Sequence, residues 1–91
     1  MTGITFIPEE NQYCAKINSL EIGYFDSGIE ASIVRESHVY HMYDSRALKI
    51  MSEAERTELL NFSLSVYQKL ALMLIFEPEK LSDELVLNEI N

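Results

Sequence analysis

The stretch Gln12-Tyr13-Cys14-Ala15-Lys16-Ile17-Asn18-Ser19-Leu20-Glu21-Ile22-Gly23-Tyr24-Phe25 decides how the first half of the chain is read. Tyr13, Ala15 and Ile17 alternate with Gln12, Cys14 and Lys16, and Leu20, Ile22 and Tyr24 alternate with Glu21, Gly23 and Phe25. A period of two is that of a strand with one buried face. With Asn18 and Ser19 as the central residues of a turn, Ile17 faces Leu20, Ala15 faces Ile22 and Tyr13 faces Tyr24, all on one side of a hairpin. Asn tolerates the positive φ that tight turns demand. Gly23 permits a bulge or close packing in the second strand.

Working outward, Ile4 to Ile7 is a short β-prone run stopped by Pro8 and the polar Glu9-Glu10-Asn11 turn. Downstream, Asp26-Ser27-Gly28 marks a turn into Ile29, Ala31 and Ile33, which alternate with Glu30 and Ser32, and Val39 to Tyr43 is a further β-prone run. The second half changes period. Ser52 with Glu55 forms a capping box, and Leu59, Leu60, Phe62, Val66, Tyr67, Leu70 and Leu74 recur at helical spacing. One helix is expected from about Glu53 to about Phe76. Beyond Pro78, a short helix capped by Ser82 would carry Leu81, Leu85, Val86 and Ile90 on one side and acids on the other. The expected fold is α+β: an antiparallel four- or five-stranded meander packed on one long helix, plus a short C-terminal helix, all in a single domain spanning 1–91.

Within the long helix, residues 70–76 are apolar on every side. A helix of that kind needs cover all round, and one sheet supplies one side only. Either the tail covers the rest, or Leu70, Leu72, Met73, Ile75 and Phe76 form a seam for a second copy or another protein.

Fifteen acidic residues against seven basic ones give a net charge of −8. Direct binding of nucleic acid is not expected, because phosphate contacts need clustered Lys and Arg. An anionic membrane is disfavoured for the same reason, and the longest uninterrupted apolar run, Leu70 to Phe76, falls far short of a membrane span. The acidity serves solubility or suits a basic partner, such as a nucleic-acid-binding protein. A single cysteine, Cys14, excludes an internal disulfide, and no secretory leader is evident, so the cytoplasm is the expected compartment.

Catalytic residue types gather only at Glu36, His38, His41 and Asp44. In a strand, side chains three apart point to opposite faces, so His38 and His41 make a poor zinc pair. One residue of register slip would decide which of the two is buried. Cys14 falls on the polar side of its strand with no His beside it to activate its thiol. Gly3, Gly23 and Gly28 are too dispersed to cradle phosphate. The five tyrosines either edge the core or form an aromatic contact surface. Gly23-Tyr24-Phe25 faintly echoes a strand of acetyltransferase domains, but the glycine-rich acyl-cofactor loop is missing and no family resemblance holds. No catalytic residue, metal or cofactor is therefore assigned.

The expected function is a small acidic, non-enzymatic binding protein. By size and charge it sits with inhibitors of the anti-CRISPR and anti-restriction type carried by phages, acting on a nucleic-acid-binding complex. Glu9, Glu10, Glu21, Glu30 and Glu36 would meet Lys and Arg of such a target. A structural or regulatory homodimer is the alternative, and a small metal-dependent enzyme using the two histidines is a third.

Overall fold

The computed structural model describes residues 3–90, with side chains as far as Asn88. Three strands, β1 (Ile4–Ile7), β2 (Gln12–Ile17) and β3 (Leu20–Phe25), form one antiparallel sheet in the order β1-β2-β3. Helix α1 (Gly28–His41), a single turn α2 (Arg46–Lys49) and the long helix α3 (Glu53–Phe76) follow. The chain closes with a 3₁₀ turn (Pro78–Lys80) and a short helix α4 (Asp83–Leu85) that widens over Val86–Ile90.

The hairpin turns at Asn18 with φ 55°, and Ile17 pairs with Leu20 as the alternation predicts. Beyond that the register moves. A bulge between Ala15 and Lys16 pairs Ala15 with Gly23 and Tyr13 with Phe25, rather than with Ile22 and Tyr24. A bulge takes one strand out of step with its partner and leaves backbone groups free for other uses. Here the Lys16 carbonyl accepts from Arg35 Nε at 2.6 Å.

The sheet has three strands rather than four or five: residues 28–41, expected as strand and turn, are helical. Two features drive the change. Ser27 and Glu30 are a second capping box in sequence, and Ser27 Oγ accepts from the Glu30 amide. From the far end of the chain, Asp83 Oδ1 accepts from the Gly28 amide at 2.7 Å, the Ile29 amide at 3.2 Å and Ser27 Oγ at 3.1 Å. A carboxylate there satisfies orphan donors and opposes the positive end of the helix dipole. The β-branched Ile29, Ile33, Val34 and Val39 imitate a strand, whereas the buried stripe is Ala31, Ser32, Arg35, Glu36 and Val39. Three of those five are polar, so a search for apolar periodicity passes over them.

Helix α1 lies on all three strands, and α3 packs along α1. The core falls into two apolar clusters. One gathers Ile4, Ala15, Ala31, Val66, Leu70 and Val86, and the other Ile17, Val39, Leu48 and Leu59. Between them sits a buried polar waist. The Arg35 guanidinium pairs with Glu36 Oε1, Glu36 Oε2 accepts from Ser32 Oγ at 2.8 Å, and Oε1 also accepts from Ser63 Oγ of α3 at 3.3 Å. Arg35 thus reaches toward the sheet and Glu36 toward α3. Gly3 is fitted to this waist, since a Cβ there would lie 1.7 Å from Arg35 Nε.

The α1–α3 connection is pinned as well. Tyr43 and Thr57 share a hydrogen bond at 2.9 Å, and the Arg56 guanidinium stacks over the Tyr43 ring and donates to the Tyr43 carbonyl. Helix α3 begins at Ser52, whose hydroxyl accepts from the Glu55 amide, and the tail helix begins at Ser82 in the same way, both as expected.

Removing one partner of a buried ion pair strands the other, at about 3–5 kcal/mol. A chain of this size has only about 5–14 kcal/mol in total. Glu36→Ala is therefore expected to lower the guanidinium unfolding midpoint severely, with the Arg35→Met/Glu36→Leu double variant losing less than the single one. A midpoint for Glu36→Ala within the range of ordinary surface substitutions would show that the waist does not hold the layers together.

Candidate interaction surface

Helix α3 buries one narrow side, Leu59, Ser63, Val66 and Leu70, against α1 and the core. The rest is largely uncovered. Leu64, Tyr67, Leu72, Leu74, Ile75 and Phe76 are all exposed, Phe76 to 73% and Ile75 to 69%. By length and composition α3 is apolar enough to cross a membrane. The longest uninterrupted run understates this, because Ser63, Ser65 and Gln68-Lys69 divide the helix. Of the residues expected as a self-association seam, Leu70 is at 1% exposure and belongs to the core, so it is not available for contact. Leu72, Ile75 and Phe76 are free, and Met73 is half-buried.

The described part of the tail leaves them exposed. Val86 is fully buried in one cluster with Val66 and Leu70, this segment packs against α1 and β1, and Leu81 and Leu85 flank the C-terminal half of α3. The side chain of Ile90, expected on the same stripe, lies outside the described residues.

Two grooves border α3. On one flank, a cleft of about 940 Å³ runs between the helix and the tail, lined by Lys69, Leu72, Met73, Phe76, Lys80 and Leu85 among others. On the other flank, α1 and α3 meet in a shallower groove. Its two hollows, about 110 and 280 Å³, share Tyr67; Ile29, Ile33, Ala71 and Leu74 line one, and Ser37, Tyr40, His41 and Leu64 the other. Arg35 and Glu36 point from α1 to the sheet and to α3, so the groove lies past their contact, on the side away from the sheet. With a shortest dimension of 18 Å, the molecule has room for one sheet and one helix layer, and among the described residues no further layer covers this face. Two of the five tyrosines, Tyr40 and Tyr67, therefore line one exposed groove, whereas Tyr13 and Tyr43 are half-buried.

The predicted carboxylates do not form one row. Glu36 is 3% exposed and fully engaged in the waist, so it cannot meet a partner. Helical periodicity carries it inward, where a strand would have left it in a turn. Glu21 lies at the Asn18-Ser19 end of the sheet, opposite Lys16, and its carboxylate accepts from Tyr24 Oη and Cys14 Sγ. Glu9, Glu10 and Glu30 are exposed near the other end, where the β1–β2 turn meets the start of α1, together with Asp26 and Glu84. Asp83 and Glu84 there raise the pKa of Tyr13, after burial as the larger cause.

Neither histidine is buried. Being three apart on a helix rather than a strand, His38 and His41 fall on neighbouring positions of one side, and Val39 takes the core position. His41 lies edge-on to Tyr40 at 5.4 Å. Among the described residues no three His, Cys, Asp or Glu side chains converge to hold a metal. Cys14 is buried on the outer side of the sheet, beneath Glu21 and Tyr24, rather than exposed there.

No protein-family model matches the chain, and no curated protein or solved structure matches it either. Its function has to be read from its own surface.

The Cys14–Glu21–Tyr24 cluster makes a titration prediction. Burial, then the hydrogen bond and charge of Glu21, raise the Cys14 pKa, so the thiol should resist disulfide exchange reagents until the chain unfolds. The hydrogen bond to Glu21 raises Tyr24 to about 12 and lowers Glu21. A tyrosine whose folded pKa is raised stabilises the fold fully below pH 10 and loses that contribution as pH rises from 10 through about 12. Ultraviolet titration of phenolate should find Tyr24 and Tyr13 late, and Glu21→Gln should return only Tyr24 toward 10. Early ionisation of every tyrosine in the wild-type chain would rule the contact out.

Proposed function

We propose that this chain is a non-enzymatic binding protein that works by macromolecular contact through the exposed face of its helix layer. The observation that carries the reading is the run of exposed apolar side chains from Tyr40 and Leu64 to Phe76. Monomers rarely expose contiguous apolar patches beyond about 300–600 Å², and larger ones mark interaction sites. The ionisable groups lining the α1–α3 groove are Glu36, already paired, His41 and the phenols of Tyr40 and Tyr67, set among apolar side chains, so the groove suits contact rather than acid–base work.

The acidic end of the molecule supports a second reading. Glu9, Glu10 and Glu30 with Asp26 and Glu84 would attract a basic protein surface, as an inhibitor of the anti-CRISPR or anti-restriction type would need. The likeness to that class is one of size and charge alone.

Capture experiments separate the two. Tagged wild-type chain, a Leu74→Glu/Ile75→Glu variant and a Glu9→Gln/Glu10→Gln/Glu30→Gln variant are incubated with host lysate, and retained proteins are identified by mass spectrometry after low- and high-salt washes. Retention at high salt that is lost with the apolar variant is expected, whether the retained protein is an untagged copy of this chain or another protein. One shed by salt and lost with the triple Gln variant would move the function to the acidic end. Recovery of the folded bait alone would remove a separate partner.

A further inference from the structure

We propose that the α1–α3 face is the seam of a two-fold symmetric homodimer, in which α3 packs antiparallel against α3 of a second copy. The inference rests on the reading of this face as a contact surface and names its occupant.

The spacing of three exposed residues, Leu64, Tyr67 and Leu74, with the half-buried Ala71 supplies the first argument. Leu64, Tyr67, Ala71 and Leu74 follow one another at intervals of three, four and three, the rhythm of a helix–helix seam. The pairs Leu64/Leu74 and Tyr67/Ala71 share one midpoint on the helix. A two-fold axis through that midpoint lays Leu64 against Leu74 of the second copy, and the large Tyr67 over the small Ala71. A surface that maps onto itself with large against small is what an isologous interface requires.

Charge supplies the second argument. A copy carrying −8 repels another copy of the same charge, so a self-contact must be free of acids. The groove meets that condition: its single carboxylate, Glu36, is buried and paired. A basic partner would gain nothing from such a face, whereas a second acidic chain loses nothing there.

Area supplies the third. Tyr40, Leu64, Tyr67, Leu74 and Ile75 are between 44% and 69% exposed. At roughly 200 Å² for each large side chain, they offer on the order of 550 Å² of apolar surface. A standard interface takes about 800 Å² from each partner, of which about two thirds is apolar in homodimers.

Sedimentation equilibrium of the full chain tests the proposal. The wild-type chain is expected to be dimeric across the micromolar range. Leu74→Glu and Ile75→Glu, both at exposed positions, should keep the wild-type circular dichroism and weaken the dimer by roughly a hundredfold, since each buries two unpaired carboxylates. Ala71→Tyr should also weaken it, by setting Tyr against Tyr, and Tyr67→Ala/Ala71→Tyr should recover most of the loss by exchanging the partners. A monomeric wild-type chain overturns the dimer, as does a chain that floats with phosphatidylcholine–phosphatidylglycerol vesicles instead of pairing. A dimer indifferent to both Glu variants, or a double variant as weak as the single Ala71→Tyr, overturns this seam. A monomer that still captures a partner through the face overturns the dimer alone; a dimer that captures nothing overturns only the separate partner.

Discussion

The fold depends on a buried charge pair. Arg35 and Glu36 are consecutive residues of α1, each 3% exposed, and they reach in different directions. Arg35 donates to the Lys16 carbonyl at the bulge of β2, and Glu36 accepts from Ser63 of α3. Isolated ions in an apolar interior are prohibitive, so these two persist because each has its partners within reach. In meeting them, the pair fixes the register of sheet, α1 and α3 together. The apolar clusters above and below carry no such directional contacts.

Asp83 extends the same logic to the tail. A short C-terminal segment has little apolar surface with which to anchor itself. Its carboxylate instead satisfies donors at the start of α1, while Val86 fills the core beside β1. The first helix and the last thus complete each other across more than fifty residues. The consequence is that the described tail is held chiefly on α1, and the outer side chains of α3 from Leu72 to Phe76 other than Met73 stay exposed.

That bare face gives the molecule its two-sided character. A thin body with one sheet and one helix layer has two broad faces, and the one on the helix side carries the apolar run from Tyr40 and Leu64 to Phe76. Acids sit at the turn end, and Glu53, Glu55 and Glu58 on the first turns of α3, ahead of that run. Such a separation of apolar face from acidic rim lets a strongly acidic chain offer a contact surface without repelling a like-charged neighbour.

The sequence alone determined the elements whose cues are local. The Asn18-Ser19 hairpin, the first strand, the capped start of α3 and the Ser82 cap were legible because each depends on residues a few positions apart. So was the surplus of apolar surface at residues 70–76. Helix α1 was not legible from its apolar pattern, since its buried stripe is polar in the middle and its β-branched residues imitate a strand; the Ser27–Glu30 capping box was its one local sign. The burial of Glu36 and Leu70, the exposure of both histidines and the cover over Cys14 were decided by tertiary structure. In each case the deciding partner lies far away in sequence or on a neighbouring element: Ser63 and Lys16 for the charge pair, Asp83 for the helix start, Glu21 and Tyr24 for the thiol. Local periodicity reports which side of an element is apolar; only the assembled layers decide which polar groups find partners inside.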